Sequence, residues 1–206
     1  MPQIPATLHL SSALPFWLSL SLVPLTILSA IFGGWTLVLL PLYGWVGFTL
    51  FDALAGLNNA NADPETPDAA LFWYRLVTLI WLPLQLALVY GLIFYATRAG
   101  HLSGAEKLGL FFGVGVVTGT IGINYSPELM HQKGAGERWL GDLLLAMVLY
   151  GHFRSEHLRV HHTHIGTPRD TVTARYNEGF HRFFPRVLRQ SLTSSWRAEP
   201  RRPERP

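Results

Sequence analysis

LPFWLSLSLVPLTILSAIFGGWTLVLLPLYGWVGFTL, residues 14–50, contains no charged side chain, and all thirteen Asp and Glu and all sixteen Lys and Arg of the 206-residue chain follow residue 51. A water-facing surface needs charge to stay hydrated, whereas a segment in hydrocarbon must avoid it, because a charge at the bilayer centre costs several kcal/mol. Gly33 and Gly34 divide the run, and at about 1.5 Å per residue each half reaches across a hydrocarbon core of about 30 Å. The stretch therefore predicts two membrane-spanning helices joined as a hairpin. Pro15, Pro24 and Pro41 are expected to kink them. Residues 1–12 carry no basic side chain, unlike a cleavable signal peptide, so the segment is expected to be retained.

Working outward, residues 52–68 hold Asp52, Asp63, Glu65 and Asp68 among Asn, Ala and Pro, and read as a connector outside the hydrocarbon. Residues 71–96 predict a third span, with Arg75 snorkelling at one end and Trp73, Tyr74, Tyr90 and Tyr95 as interfacial anchors. After a turn at 98–107, residues 108–124 predict a fourth span. Its glycines at 109, 113, 115, 119 and 122 allow close approach of neighbouring helices. The apolar run 139–150 contains Asp142 and is too short to cross, which suits a buried or interfacial helix.

The expected fold is thus all-α: a polytopic transmembrane bundle of about four spans followed by a helical, histidine-rich region. Residues 1–125 form the spanning part, 126–199 the histidine-rich part, and the Arg/Pro-rich 200–206 a disordered tail. Eleven of the fourteen arginines lie in 154–206, against five acids there. Juxtamembrane arginine of that density marks the cytoplasmic side of a cell inner membrane and contact with anionic lipid, rather than a nucleic-acid partner. The absence of cysteine excludes disulfides, thiolate nucleophiles and iron–sulfur ligation, so any metal must be held by His or carboxylate.

Seven of the nine histidines lie between 131 and 181, and His152, His157, His161, His162 and His164 fall within thirteen residues. On an α-helix His157 and His161 share a face, and His162 points about 100° further round. An H-x-x-x-H-H run of this kind suits two metal ions better than one, and neutral imidazole ligates iron, copper or zinc. His131 lies twenty-six residues before His157, about 39 Å along one straight helix. A shared site therefore requires the chain to fold back, which the short run 139–150 permits. Taken singly, His131, His152, His164 and His181 default to hydrogen-bonded positions on helix surfaces.

Three stretches carry a family resemblance: Gly122 to His131 with Asn124, Pro127, Glu128 and Leu129; Tyr150-Gly151-His152-Phe153; and Glu156-His157 with Val160-His161-His162. They resemble the first two histidine boxes of the membrane alkane monooxygenases, within the integral-membrane fatty acid desaturase/hydroxylase superfamily. Gly166-Thr167-Pro168, Asp170, Ala174-Arg175, Glu178, Ser195-Trp196 and Glu199 match the family's continuation, and Asp52 to Gly56 also resembles it. The resemblance implies a six-span enzyme with a non-haem di-iron centre. Such an enzyme inserts one atom of O2 into a terminal C–H bond of a medium- or long-chain alkane, with electrons from a rubredoxin. It implies His131, His157, His161 and His162 as iron ligands. Glu128, Glu156 and His152 would stand behind them, the carboxylates orienting ligand imidazoles through the far ring nitrogen.

The chain also departs from the pattern. Pro127 occupies the leading histidine of the family's first box, Val160 replaces a favoured Gly and Thr171 a favoured Pro. The family's further spans and its His-x-x-His-His box would lie beyond residue 206, which implies an incomplete ligand set and a truncated, inactive form. The alternatives are a non-catalytic membrane remnant of the family and a desaturase- or hydroxylase-like enzyme acting on lipid acyl chains.

Overall fold

The computed structural model describes residues 10–56 and 66–199, which divide into two compact units, 10–147 and 148–199. Every regular element among them is helical. The first unit holds α1 (Leu10–Phe32), α2 (Gly34–Ala55), α3 (Asp68–Arg98), α4 (Gly104–Met130) and α5 (Ala135–Met147), and the first four are long and apolar enough to cross a membrane. The second unit holds α6 (153–164) and α7 (Phe180–Ala198). The expected tail at 200–206 lies outside the described residues, as does most of the connector between α2 and α3.

The hairpin between α1 and α2 turns where the two glycines stand. Gly33 and Gly34 have φ of 61° and 57°, a region costly for residues with a Cβ. The turn is closed by its own hydroxyls, Ser29 donating to the Thr36 carbonyl at 2.8 Å and Thr36 to the Gly33 carbonyl at 2.6 Å. The Gly34 N–H donates to Glu106 at 2.8 Å, and Glu106 also completes a capping box with Ser103 at the start of α4.

The prolines change the winding rather than ending the helices. Pro24 has no N–H to give the carbonyl four residues back, and the preceding turn, Leu18–Ser21, is wound as a tighter 3₁₀ segment. After Pro41 the chain widens instead into a π-helical stretch, Leu42–Gly47.

The spanning helices are apolar on both their inner and outer faces. Leu22, Leu40, Trp81 and Leu110 are fully buried between helices, while Phe32, Trp35, Trp45, Leu54, Phe94 and Phe112 are exposed. An apolar exterior of this extent matches a hydrocarbon solvent, not water. Buried polar contacts join the helices: Gln85 of α3, which accepts from Trp81 of its own helix at 2.8 Å, donates to the Leu144 carbonyl of α5 at 3.4 Å, and Ser126 of α4 donates to the Gly141 carbonyl of α5 at 2.9 Å. Two expectations shift. Helices α2 and α3 extend into the acidic connector, so Asp52 and Asp68 belong to helical turns. Arg75 does not simply snorkel; it forms an ion pair with Glu137 of α5, because attraction to a carboxylate outweighs hydration at a half-buried site.

Helix α5 has thirteen residues, about 20 Å, and packs against the end of α4. Gly141 makes this contact possible: a Cβ there would stand 2.9 Å from the Ser126 carbonyl oxygen and about as close to Met130 and Leu129.

Candidate metal centre

The second unit carries three of the four histidines expected as ligands, all on α6. This helix is not a plain α-helix. Residues His157–His161 are wound as a π-helix, and the His162 N–H bonds the His157 carbonyl, five residues back. In an α-helix residues five apart diverge by about 140°. The wider turn returns His162 to the face of His157, and π-bulges of this sort recur at functional sites.

The two rings meet edge-on, their centroids 4.6 Å apart, with the Nε2 atoms 3.2 Å from each other. Neutral imidazoles can share one proton at that separation. The same two nitrogens, each at about 2.0–2.1 Å from one ion, would stand roughly 3–3.4 Å apart, so the pair fits a shared metal. His161 lies to the side, stacked on His157 with centroids 5.6 Å apart and rings 17° from parallel. The stack runs on through Phe153, 5.0 Å from His157, and Tyr150, 5.3 Å from Phe153, so the aromatic ladder limits how the imidazoles can turn.

Asp170 holds His161. Its Oδ2 lies 3.0 Å from His161 Nδ1 and accepts from the Thr173 hydroxyl at 2.5 Å, while Oδ1 accepts from the Val172 N–H at 3.1 Å. Burial opposes ionisation of this carboxyl. Hydrogen bonds from Thr173, Val172 and His161 outweigh it, and the group lies below the usual aspartate range. An ionised carboxylate only accepts, so Nδ1 donates, which leaves the lone pair of a neutral His161 on Nε2, the nitrogen then available to a metal. The sequence reading assigned Asp170 no such role, although it belongs to the Gly166–Asp170 stretch that carried the resemblance.

The remaining candidates take different positions. Glu156 is fully buried and its Oε1 accepts from the Thr171 hydroxyl; burial pushes its carboxyl up, assisted by the charge of Asp170. Its Oε2 has no hydrogen-bond partner among the described residues. His152 packs edge-on against Tyr150, and its buried Nε2 likewise has no partner among them; burial pushes the pKa of this imidazole down. Thr171, where the family favours proline, supplies the hydroxyl that Glu156 uses. In the first unit, His131 stands exposed at the end of α4, its N–H bonded to the Pro127 carbonyl at 3.0 Å. Glu128, also exposed, makes no side-chain hydrogen bond or ion pair among the described residues.

Apolar spanning helices and a helix presenting paired imidazoles define an integral-membrane protein with a candidate metal-binding region. Residues 107–206 match the fatty acid desaturase family. The chain is 34% identical over 159 residues to alkane 1-monooxygenase 2 of Pseudomonas aeruginosa, covering 76% of this chain and 42% of that protein. It is 36% identical over 155 residues to alkane 1-monooxygenase 1 of the same organism, covering 73% and 40%. A further relative, alkane 1-monooxygenase 2 of Alcanivorax borkumensis, is 32% identical over 161 residues, covering 76% and 41%. The chain belongs to the alkane monooxygenase family, within the desaturase/hydroxylase superfamily. It spans about two-fifths of the length of these curated relatives.

Proposed function

We propose that this chain supplies the membrane scaffold and part of the iron-binding region of an O2-dependent alkane hydroxylase acting on the terminal carbon of medium- or long-chain alkanes. The observation that carries this reading is the His157–His162 pair on a π-wound helix, beside an His161 whose tautomer Asp170 dictates.

In this reading His131, His157, His161 and His162 would hold a non-haem di-iron centre. Bound redox iron supplies dioxygen activation, which acid–base side chains cannot provide. Asp170 keeps the His161 lone pair on Nε2, and the ring stack from Tyr150 to His161 keeps the imidazoles from rotating away. The bilayer delivers the apolar substrate to helices that are themselves apolar. The overall reaction takes an alkane, O2, two electrons and two protons to a primary alcohol and water. A rubredoxin-type protein is the electron donor, and the histidine region faces the cytoplasm from the inner membrane.

The test is to express the protein in membranes, supply a reducing system and ¹⁸O2, and measure labelled 1-alkanol. One labelled oxygen per alcohol, lost on His157→Ala, is expected. Absence of labelled alcohol from iron-replete protein would overturn the reading.

A second reading rests on Pro127, which stands where the family's first box has a histidine and can neither ligate nor donate a backbone hydrogen bond. Here the protein is a non-catalytic relative with a weak metal site, as under-ligated centres bind poorly and mismetallate. Iron content separates the two: two irons per protein favour the hydroxylase, and sub-stoichiometric iron favours the relative without activity.

A further inference from the structure

Helix α7 has two unlike exposed flanks beside the edge it buries. Ser191 and Ser195 are buried, whereas Phe180, Phe184, Leu188, Leu192 and Trp196 are exposed, Trp196 by 83%. These five recur every fourth residue and advance about 40° per step, so they form one slowly winding apolar stripe. Arg189 lies about 60–100° round from its stripe neighbours Leu192 and Leu188, on the flank that leads to an arginine-lined groove. The stripe's residue types are those that enter the acyl region of a bilayer from an interfacial helix.

The basic flank borders a groove of about 1000 Å³, whose lining includes Arg159, Arg169, Arg175, Arg186, Arg189 and Arg197 and, among the described residues, no carboxylate. Two of these guanidiniums are engaged, Arg186 with Glu178 at 2.6 Å and Arg159 with Glu199 at 3.4 Å. Arg169, Arg189 and Arg197 make no side-chain hydrogen bond or ion pair among the described residues. Guanidinium is the side chain best matched to a phosphate diester, which it can grip with two parallel N–H donors.

We infer that α7 lies in the membrane interface, its Phe/Leu/Trp stripe among acyl chains and its arginine groove around the phosphate of an anionic phospholipid. The occupant is a lipid because the two flanks adjoin on one helix. An acidic headgroup and a hydrocarbon tail on one molecule satisfy both, whereas free phosphate satisfies only the groove. This inference does not depend on the proposed hydroxylase activity.

The chain contains no cysteine, so a single introduced one can be labelled without background. The full chain is reconstituted in nanodiscs of phosphatidylcholine, with or without phosphatidylglycerol, bearing an environment-sensitive fluorophore at Phe184→Cys, Leu188→Cys or Arg182→Cys. Labels at 184 and 188 are expected to be quenched by lipid brominated along its acyl chains, and the label at 182 by aqueous iodide. Quenching of 184 and 188 by iodide, or shielding from both quenchers by a second copy or another part of the protein, would overturn the inference.

Headgroup preference is read separately, from the association of spin-labelled phosphatidylglycerol relative to spin-labelled phosphatidylcholine. An arginine near an anionic leaflet contributes roughly fivefold, so combined Arg169→Gln, Arg189→Gln and Arg197→Gln should reduce the preference by about tenfold or more. No reduction, or displacement of the anionic lipid by equimolar inorganic phosphate, would overturn the lipid assignment. Unchanged helicity of the variant by circular dichroism separates a lost contact from a lost fold.

Discussion

At the residue scale, Asp170 exerts the clearest control over the candidate centre, because its carboxylate decides which His161 nitrogen carries the proton. Removing such an orienting partner commonly lowers metal affinity by roughly 10–100-fold. Asp170→Ala is therefore expected to weaken Co(II) or Zn(II) binding by that order in calorimetric titration, with a larger loss for His157→Ala, which removes a donor itself. Glu178 makes a different prediction. Hydrogen bonds from the Arg186 guanidinium and the Arg175 N–H hold its pKa at about 2, against an ordinary 4.5. A depressed carboxylate stabilises the folded state above its unfolded pKa. The contribution is therefore complete above pH 4.5 and declines as pH falls towards about 2. Once the intrinsic pH dependence of amide exchange is divided out, the protection of the turn preceding α7 should fall across that window, and Glu178→Gln should remove that fall.

At the element scale, the contact of α5 with the end of α4 depends on the missing side chain at Gly141, where the nearest atom to an added Cβ is backbone and cannot swing aside. Gly141→Ala should destabilise the protein by about 1–3 kcal/mol, the usual cost of overpacking. Gly136→Ala on the same helix meets nothing within 4 Å and should be neutral or slightly stabilising. Thermal unfolding in detergent distinguishes the two. The π-turn in α6 is the other decision taken by an element. Heptad or α-helical reckoning pairs His157 with His161, and the observed winding pairs it with His162. Nothing in the side chains of 157–161 announces that extra residue per turn, since it is a backbone hydrogen-bond choice made locally.

At the scale of the whole molecule, four crossings place the α3–α4 turn and the end of α4 on opposite sides of the membrane. With the arginine-rich region facing the cytoplasm, a cysteine at His101 should react with an impermeant maleimide added outside spheroplasts, and one at Lys133 only after lysis. The reverse pattern would invert the orientation proposed for the histidine region. The natural absence of cysteine makes the assay free of background.

Solvent selection was written plainly in the sequence. A charge-free run up to residue 51, glycines at 33 and 34 and the long apolar segments specify spanning helices because burying charge in hydrocarbon is costly and only glycine turns so cheaply at positive φ. The histidine cluster was legible for the same kind of reason, since few roles other than ligation gather five imidazoles in thirteen residues. Tertiary structure alone decided which partners those residues take. Arg75 found Glu137, sixty-two residues away, His161 found Asp170, and His162 turned to His157, because pairing depends on distance and direction in space, which composition and spacing along the chain do not encode.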